Sequence, residues 1–255
     1  MTRRRPTAAA LAAAIGVVGA CGGAGTGGRA ALDVFAAASL TEALTALAPS
    51  FEAVHPGVEV RFTFGSSSAL ARQVADGAPA DVLATADEAT MAPLIADGRV
   101  HDPAIVARNR LTIAVVPGNP LGVAGLADLA RPGLTVVLCA PEAPCGRLAR
   151  AALGAAGITV RPASSEENVK AVLSRVTLGE ADAGVVYVTD LRAVGGRAEA
   201  VAIDAAVAAD PALQAVYPMA EVAGADQATA ARAFVAFSRS AAGQRSFGAA
   251  GFLPP

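Results

Sequence analysis

Short, unbroken apolar runs alternate along this chain with stretches whose apolar residues return every three or four positions. The first pattern is that of strands buried on both faces, the second that of amphipathic helices. The runs predict strands at 31–36, 58–64, 81–85, 111–116, 134–138, 183–187 and 200–203. The periodic stretches predict helices over 40–55, 69–77, 88–97, 146–156, 168–178 and 227–239. In the first helix Leu40, Leu44, Leu47 and Phe51 step by four, three and four, which stacks them on one face. This alternation argues for an α/β fold, mainly parallel sheet flanked by helices. The element order divides into two lobes, residues 31–110 with 204–255, and residues 111–203. Arg108-Asn109-Arg110 is the expected crossing into the second lobe, and Gly195-Gly196-Arg197 the expected region of return.

The first residues obey another logic. Arg3-Arg4-Arg5 precedes an apolar run from Ala8 to Ala20. That run is shorter than the roughly 20 residues a membrane span needs, so residues 1–20 read as a signal peptide. Val18-Gly19-Ala20-Cys21 resembles a bacterial lipobox, with Cys21 as the lipid-modified residue; plain cleavage near Ala20 is the alternative. The glycine-rich segment that follows makes residues 21–30 a flexible tether. Its Gly-x-Gly pattern follows no strand and so does not read as a nucleotide loop. Arg3-Arg4 lacks the hydrophobic residues that twin-arginine export expects. The expected location is the extracytoplasmic face of the cell membrane, held by the lipid on Cys21.

Charge narrows the partners. The formal net charge of −2 becomes more negative without Arg3–Arg5, and no basic run remains. That argues against nucleic acid. It also rules out a broad positive field, so any anion site must work through local hydrogen bonds.

Donor groups recur where strands give way to helices. Ser39 follows the first strand, Ser66-Ser67-Ser68 the second, and Pro144-Cys145-Gly146 the fifth. Ser164-Ser165-Glu166-Glu167-Asn168-Val169 opens a further helix, and Tyr187, one of two tyrosines, ends a strand. Such junctions bind ligands in open α/β sheets, and the unpaired N–H groups of a first helical turn suit an anion. Taken singly, each has a plainer role. Ser39 with Glu42, and Ser164 with Glu167, have capping-box spacing. A strand-end tyrosine is commonly a core ring with a wet hydroxyl.

Four motifs make the chain resemble the molybdate-binding proteins and lipoproteins of ABC importers. They are Val34 through Glu42, Phe64 through Gln73, Gly77-Ala78-Pro79-Ala80-Asp81-Val82 with Ala86-Asp87, and Gly184 through Asp190. The resemblance implies the two-lobed type II periplasmic-binding-protein fold with a ligand cleft between lobes. It implies a molybdate, and also tungstate, receptor that serves an ABC transporter permease as a monomer without a cofactor. The oxyanion would be held by the hydroxyls of Ser39, Ser67 and Tyr187 and by backbone N–H groups near Cys145 and Val169. No metal would be directly coordinated and no residue would be catalytic. The chain departs from the pattern at Ala140, where the family has Asp, and its loop to Gly146 is one residue shorter.

Chemistry agrees with that reading. Molybdate at neutral pH is a tetrahedral dianion that only accepts hydrogen bonds, which hydroxyl and peptide donors satisfy. Another tetrahedral oxyanion such as sulfate offers the same charge and acceptors and is the near alternative. A serine-nucleophile hydrolase is the alternative of another class, but the chain has no Gly-x-Ser-x-Gly elbow and only two isolated histidines, His55 and His101, in loop-like contexts. A structural surface lipoprotein is the third. Cys139 and Cys145, six apart in an exported chain, fit a local disulfide across the anion loop or two buried thiols. Arg72 reads as a surface or interlobe residue.

Overall fold

The computed structural model describes residues 28–255. The expected leader, the expected lipidation site Cys21 and residues 21–27 of the expected tether lie outside the described residues. Ala30, assigned to the tether from sequence, already pairs with Val58 in the first strand.

The strands are β1 (Ala30–Ala37), β2 (Val58–Gly65), β3 (Val82–Ala84), β4 (Val100–Val115), β5 (Val136–Cys139), β6 (Ser164–Glu166), β7 (Ala183–Tyr187), β8 (Glu199–Val201) and β9 (Gln214–Val222). The helices are α1 (Thr41–Val54), α2 (Ser67–Ala75), α3 (Glu88–Ala96), α4 (Pro144–Ala155), α5 (Val169–Thr177), α6 (Val188–Ala193), α7 (Ala205–Ala209), α8 (Ala228–Arg239) and α9 (Ala241–Ala250). Among the described residues, no helix is long and apolar enough to cross a membrane.

Two sheets share one strand. In the first, β1 lies parallel between β2 and β3, and β9 joins β3 antiparallel. In the second, β5 lies parallel between β6 and β7. The long strand β4 belongs to both. Its stretch from Val100 to Arg110 pairs with β9, and Leu111–Val115 pairs with β7 on one side and β8 on the other. The parallel strands are those whose carboxyl ends face the helices. The strands that join the two halves run antiparallel, a mixture that apolar patterning alone does not disclose.

The first half of β4 and all of β9 are absent from the predicted strands. Their apolar runs are broken by His101, Asp102, Pro103, Arg108, Asn109 and Arg110, and by Pro218 and Glu221. His101, expected in a loop, is an exposed residue of β4. The register of β4 against β9 shifts between His101 and Ala104, where Pro103 has no N–H to give to a ladder.

The first core is the one the helical spacing anticipates. Leu32, Val34 and Ala36 of β1 meet a face of Leu40, Leu44, Leu47 and Phe51, all fully buried. Phe51 packs edge-on against Phe234 and Phe237 of α8, with ring centroids 5.1 and 5.5 Å away. The last two helices thereby return to the first half of the chain. In the other half, Gly184 of β7 lets α5 sit close to the sheet, since a Cβ there would lie 2.6 Å from Val172 Cγ1.

Candidate functional site

The carboxyl ends of β1, β2, β5, β6 and β7 open onto one small cleft of about 20 Å³ between the two sheets. The first sheet contributes Ala37–Ser39 and Gly65–Ser67, together with Ala86 after β3. The second contributes Ala143–Cys145, Glu167–Val169 and Tyr187. The five residues singled out from sequence, Ser39, Ser67, Cys145, Val169 and Tyr187, all line it and are all at most 5 % exposed. Neither histidine lines it, and Arg72 is exposed on α2.

Backbone donors come from three helix starts. The first-turn N–H groups of α2, α4 and α5 have no intrahelical carbonyl to reach. Neither Ser66 nor Ala143, the residues before α2 and α4, caps its helix through a side chain. Helices away from the cleft are treated differently: Asp87 caps α3 at Thr90 N, and Ser240 caps α9 at Gly243 N. Asn168 caps α5 only at Ala171 N, leaving the N–H groups of Val169 and Lys170. Three helix starts with exposed positive dipole ends therefore converge on a cleft whose lining residues include no lysine or arginine.

Two expected capping boxes do not form. Ser39 lies in a 3-10 turn, Ala38–Leu40, ahead of α1, and its hydroxyl meets the Tyr217 hydroxyl at 3.0 Å. Its supposed partner Glu42 binds Lys170 instead, at 2.7 Å. Ser164 lies in β6 and donates to Glu166 Oε1, so Asn168 and not Ser164 begins α5. Ser39 is drawn away by a hydroxyl 178 residues distant, and Ser164 by the pairing of β6 with β5, where it stands opposite Val137.

The side-chain donors share a polarity. The Ser67 oxygen accepts from Ala86 N at 3.1 Å, which leaves its proton for the cleft. The Tyr187 hydroxyl is buried and has no hydrogen-bond partner among the described residues. Burial above all, with Tyr217 and Asp190 adding to it, pushes the Tyr187 phenol well above its ordinary pKa, so it stays a donor. The one carboxylate among the lining residues is that of Glu167, which is exposed and accepts from Asn168 Nδ2 at 3.2 Å.

The loop between β5 and α4 is pinned on both sides. Cys139, at the end of β5, is disulfide-bonded to Cys145, in the first turn of α4. Beside it, a Cβ on Gly146 would lie 1.8 Å from the Ala140 carbonyl oxygen, so only glycine allows α4 to start this close to the loop.

Ion pairs join the two sheets' halves at the cleft's rim. Arg147 of α4 reaches Asp87 Oδ2 with two nitrogens, at 2.6 and 2.8 Å, and Thr90 Oγ1 at 2.6 Å. Lys170 of α5 lies between Glu42 of α1 and the fully buried Asp190 of α6. Asp190 accepts from Tyr187 N, and burial raises its pKa to about 7 against the pull of Lys170. Ser68 Oγ donates to Glu142 O at 2.6 Å. The contacts of Arg147, of Lys170 with Glu42 and of Ser68 with Glu142 bridge the two halves. None of the rim contacts was foreseen, because each joins residues more than forty positions apart, save the two contacts of Asp190, with Tyr187 N and with Lys170. Tyr217, the second tyrosine of the chain, was passed over although its rarity could have marked it.

The family described as bacterial extracellular solute-binding protein matches residues 32–253. The molybdate-binding protein ModA of Mycobacterium tuberculosis is 41% identical over 231 residues, 90% of this chain and 87% of that protein. Among solved structures, the periplasmic molybdate-binding protein of Azotobacter vinelandii superposes with a TM-score of 0.73 at 22% identity, over 88% of this chain and 99% of that one. The sulfate-binding protein SubI of Mycobacterium tuberculosis superposes with a TM-score of 0.75 at 22% identity, over 89% and 87%. At these identities the two structures share with this chain a two-lobed fold.

Proposed function

We propose that this chain, which belongs to the bacterial extracellular solute-binding proteins, captures molybdate and hands it to the permease of an ABC importer. The observation that carries the reading is the 41% identity, over nine-tenths of the chain, to a protein named for molybdate binding. The cleft supports it with hydroxyl protons at Ser39, Ser67 and Tyr187 and free N–H groups at Cys145 and Val169. A fully deprotonated oxyanion needs donors and no acceptors. Each hydrogen bond to a charged group contributes roughly 1.5–3 kcal/mol. Several of them meet the ~8–12 kcal/mol of micromolar to nanomolar binding after the cost of closing the lobes. Tungstate, of the same shape and charge, is bound as well.

The chain acts as a monomeric receptor without a cofactor and without turnover. The atoms that touch the Ser39 and Ser67 hydroxyls are a phenol and a peptide N–H, and neither is a base. The lobes divide near Arg110, where β4 changes partners, and the chain is tethered outside the membrane through the lipid on Cys21. The basic start and short apolar run of the sequence support that tether.

Calorimetric titration of the purified protein with molybdate, tungstate, sulfate and phosphate tests the reading. Molybdate and tungstate should bind far more tightly than the other two. At a hundred times Kd, molybdate should add about 2.7 kcal/mol to unfolding stability. Sulfate binding as tightly as molybdate would overturn the choice of ligand, and no response to any oxyanion would favour a purely structural lipoprotein.

A further inference from the structure

The Ser39 hydroxyl is not oriented by its own segment. It meets the hydroxyl of Tyr217, on β9, at 3.0 Å, and that phenol oxygen lies 3.4 Å from Asn109 Nδ2, on β4. Asn109 Nδ2 also donates to Thr189 Oγ1 at 2.8 Å, and Asn109 Oδ1 accepts from Arg110 N at 2.9 Å. All four side chains are buried. The bond from Arg110 N to Oδ1 fixes which way the amide faces, and the Nδ2 turned to Tyr217 can only donate. A phenol that accepts from Asn109 turns its own proton to Ser39. A serine oxygen that accepts from Tyr217 turns its proton to the cleft.

We infer that Asn109 and Tyr217 are positioning residues that fix the direction of the Ser39 proton, so that Ser39 meets the oxyanion as a donor. The inference rests on the proposed receptor function and deepens it. At Ser67 the same task falls to a backbone N–H, that of Ala86. At Ser39 it falls to two side chains on β4 and β9, the strands that pair between Val100 and Arg110. The relay continues to Thr189 of α6, which belongs to the other sheet's half, so the serine's orientation is tied to the placement of both halves.

A double-mutant cycle on the full chain tests this, with molybdate affinity from calorimetry and the unfolding midpoint of each ligand-free variant as a check on folding. Tyr217→Phe keeps the ring and removes the relay. It should weaken molybdate binding about tenfold in the wild-type background, the scale of one charge-assisted hydrogen bond. In a Ser39→Ala background it should change the affinity by less than about twofold, since the group it acts through is gone. Asn109→Leu, which removes the donor that sets the phenol's direction, should give a smaller loss with the same dependence on Ser39. Equal losses in both backgrounds would mean that Tyr217 acts through packing, and that overturns the relay. Unchanged affinity in Tyr217→Phe overturns it too. A wild-type protein that binds no oxyanion would instead refute the receptor function, and the relay with it.

Discussion

Removing the Tyr187 hydroxyl should raise stability and lower affinity. The ring is 1 % exposed, and its oxygen is buried with no hydrogen-bond partner among the described residues. An unsatisfied buried polar group costs about 1–3 kcal/mol. Tyr187→Phe deletes that group and keeps the ring, whose edge-on packing with Tyr217 places the centroids 6.3 Å apart. The ligand-free variant should therefore be more stable than wild type, by up to about 1–3 kcal/mol, and by less to the extent that opening of the cleft wets the hydroxyl. On the proposed function the same hydroxyl donates to the bound oxyanion, and such a bond contributes roughly 1.5–3 kcal/mol. Molybdate binding should weaken by roughly ten- to 150-fold. Urea unfolding without ligand gives the first quantity, and calorimetric titration the second. A variant that is less stable than wild type and binds molybdate equally well would refute the reasoning, because Tyr187 would then be a core residue with an internal partner.

Three further outcomes are expected. Gly146→Ala places a Cβ against the Ala140 backbone, which cannot swing aside as a side chain would; it should cost about 1–3 kcal/mol of stability or more and weaken oxyanion binding, and a wild-type unfolding midpoint would contradict this. The folded pKa of Asp190, raised from 3.8 to about 7, means that between those values the folded protein holds a proton the unfolded chain has released. This group's contribution is therefore greatest at the acid end, and stability falls as pH rises from about 4 to about 7; Asp190→Asn should flatten the slope between urea titrations at about pH 5 and about pH 7.5, and an unaltered slope would exclude Asp190 as its source. Cys139→Ser with Cys145→Ser opens a short loop worth about 2 kcal/mol by chain entropy. Reductant should lower the wild-type midpoint by a similar amount and leave the double variant unmoved, and a midpoint indifferent to both treatments would mean that the thiols are not joined.

What the sequence determined by itself was local. The spacing of Leu40, Leu44, Leu47 and Phe51 specified the buried face of α1, and the apolar run before Ser39 specified β1, because each signal lies within a few residues of its effect. The donor-bearing junctions were legible for the same reason: Ser39, Ser67, Cys145, Val169 and Tyr187 stand where a strand ends. Tertiary structure decided what those junctions do. Ser39 and Ser164 had the spacing of helix caps, yet Ser39 turns to Tyr217, 178 residues away, and Ser164 joins a strand. The crossing strands were hidden, since charged residues and prolines in β4 and β9 interrupt the apolar runs that mark a buried strand. The closing pairs of Arg147 with Asp87 and of Lys170 with Glu42 exist only once the two halves meet. A hydroxyl proton has no direction in a sequence. It acquires one when a donor from a distant strand occupies the oxygen's lone pair, and only the folded chain brings that donor within 3 Å.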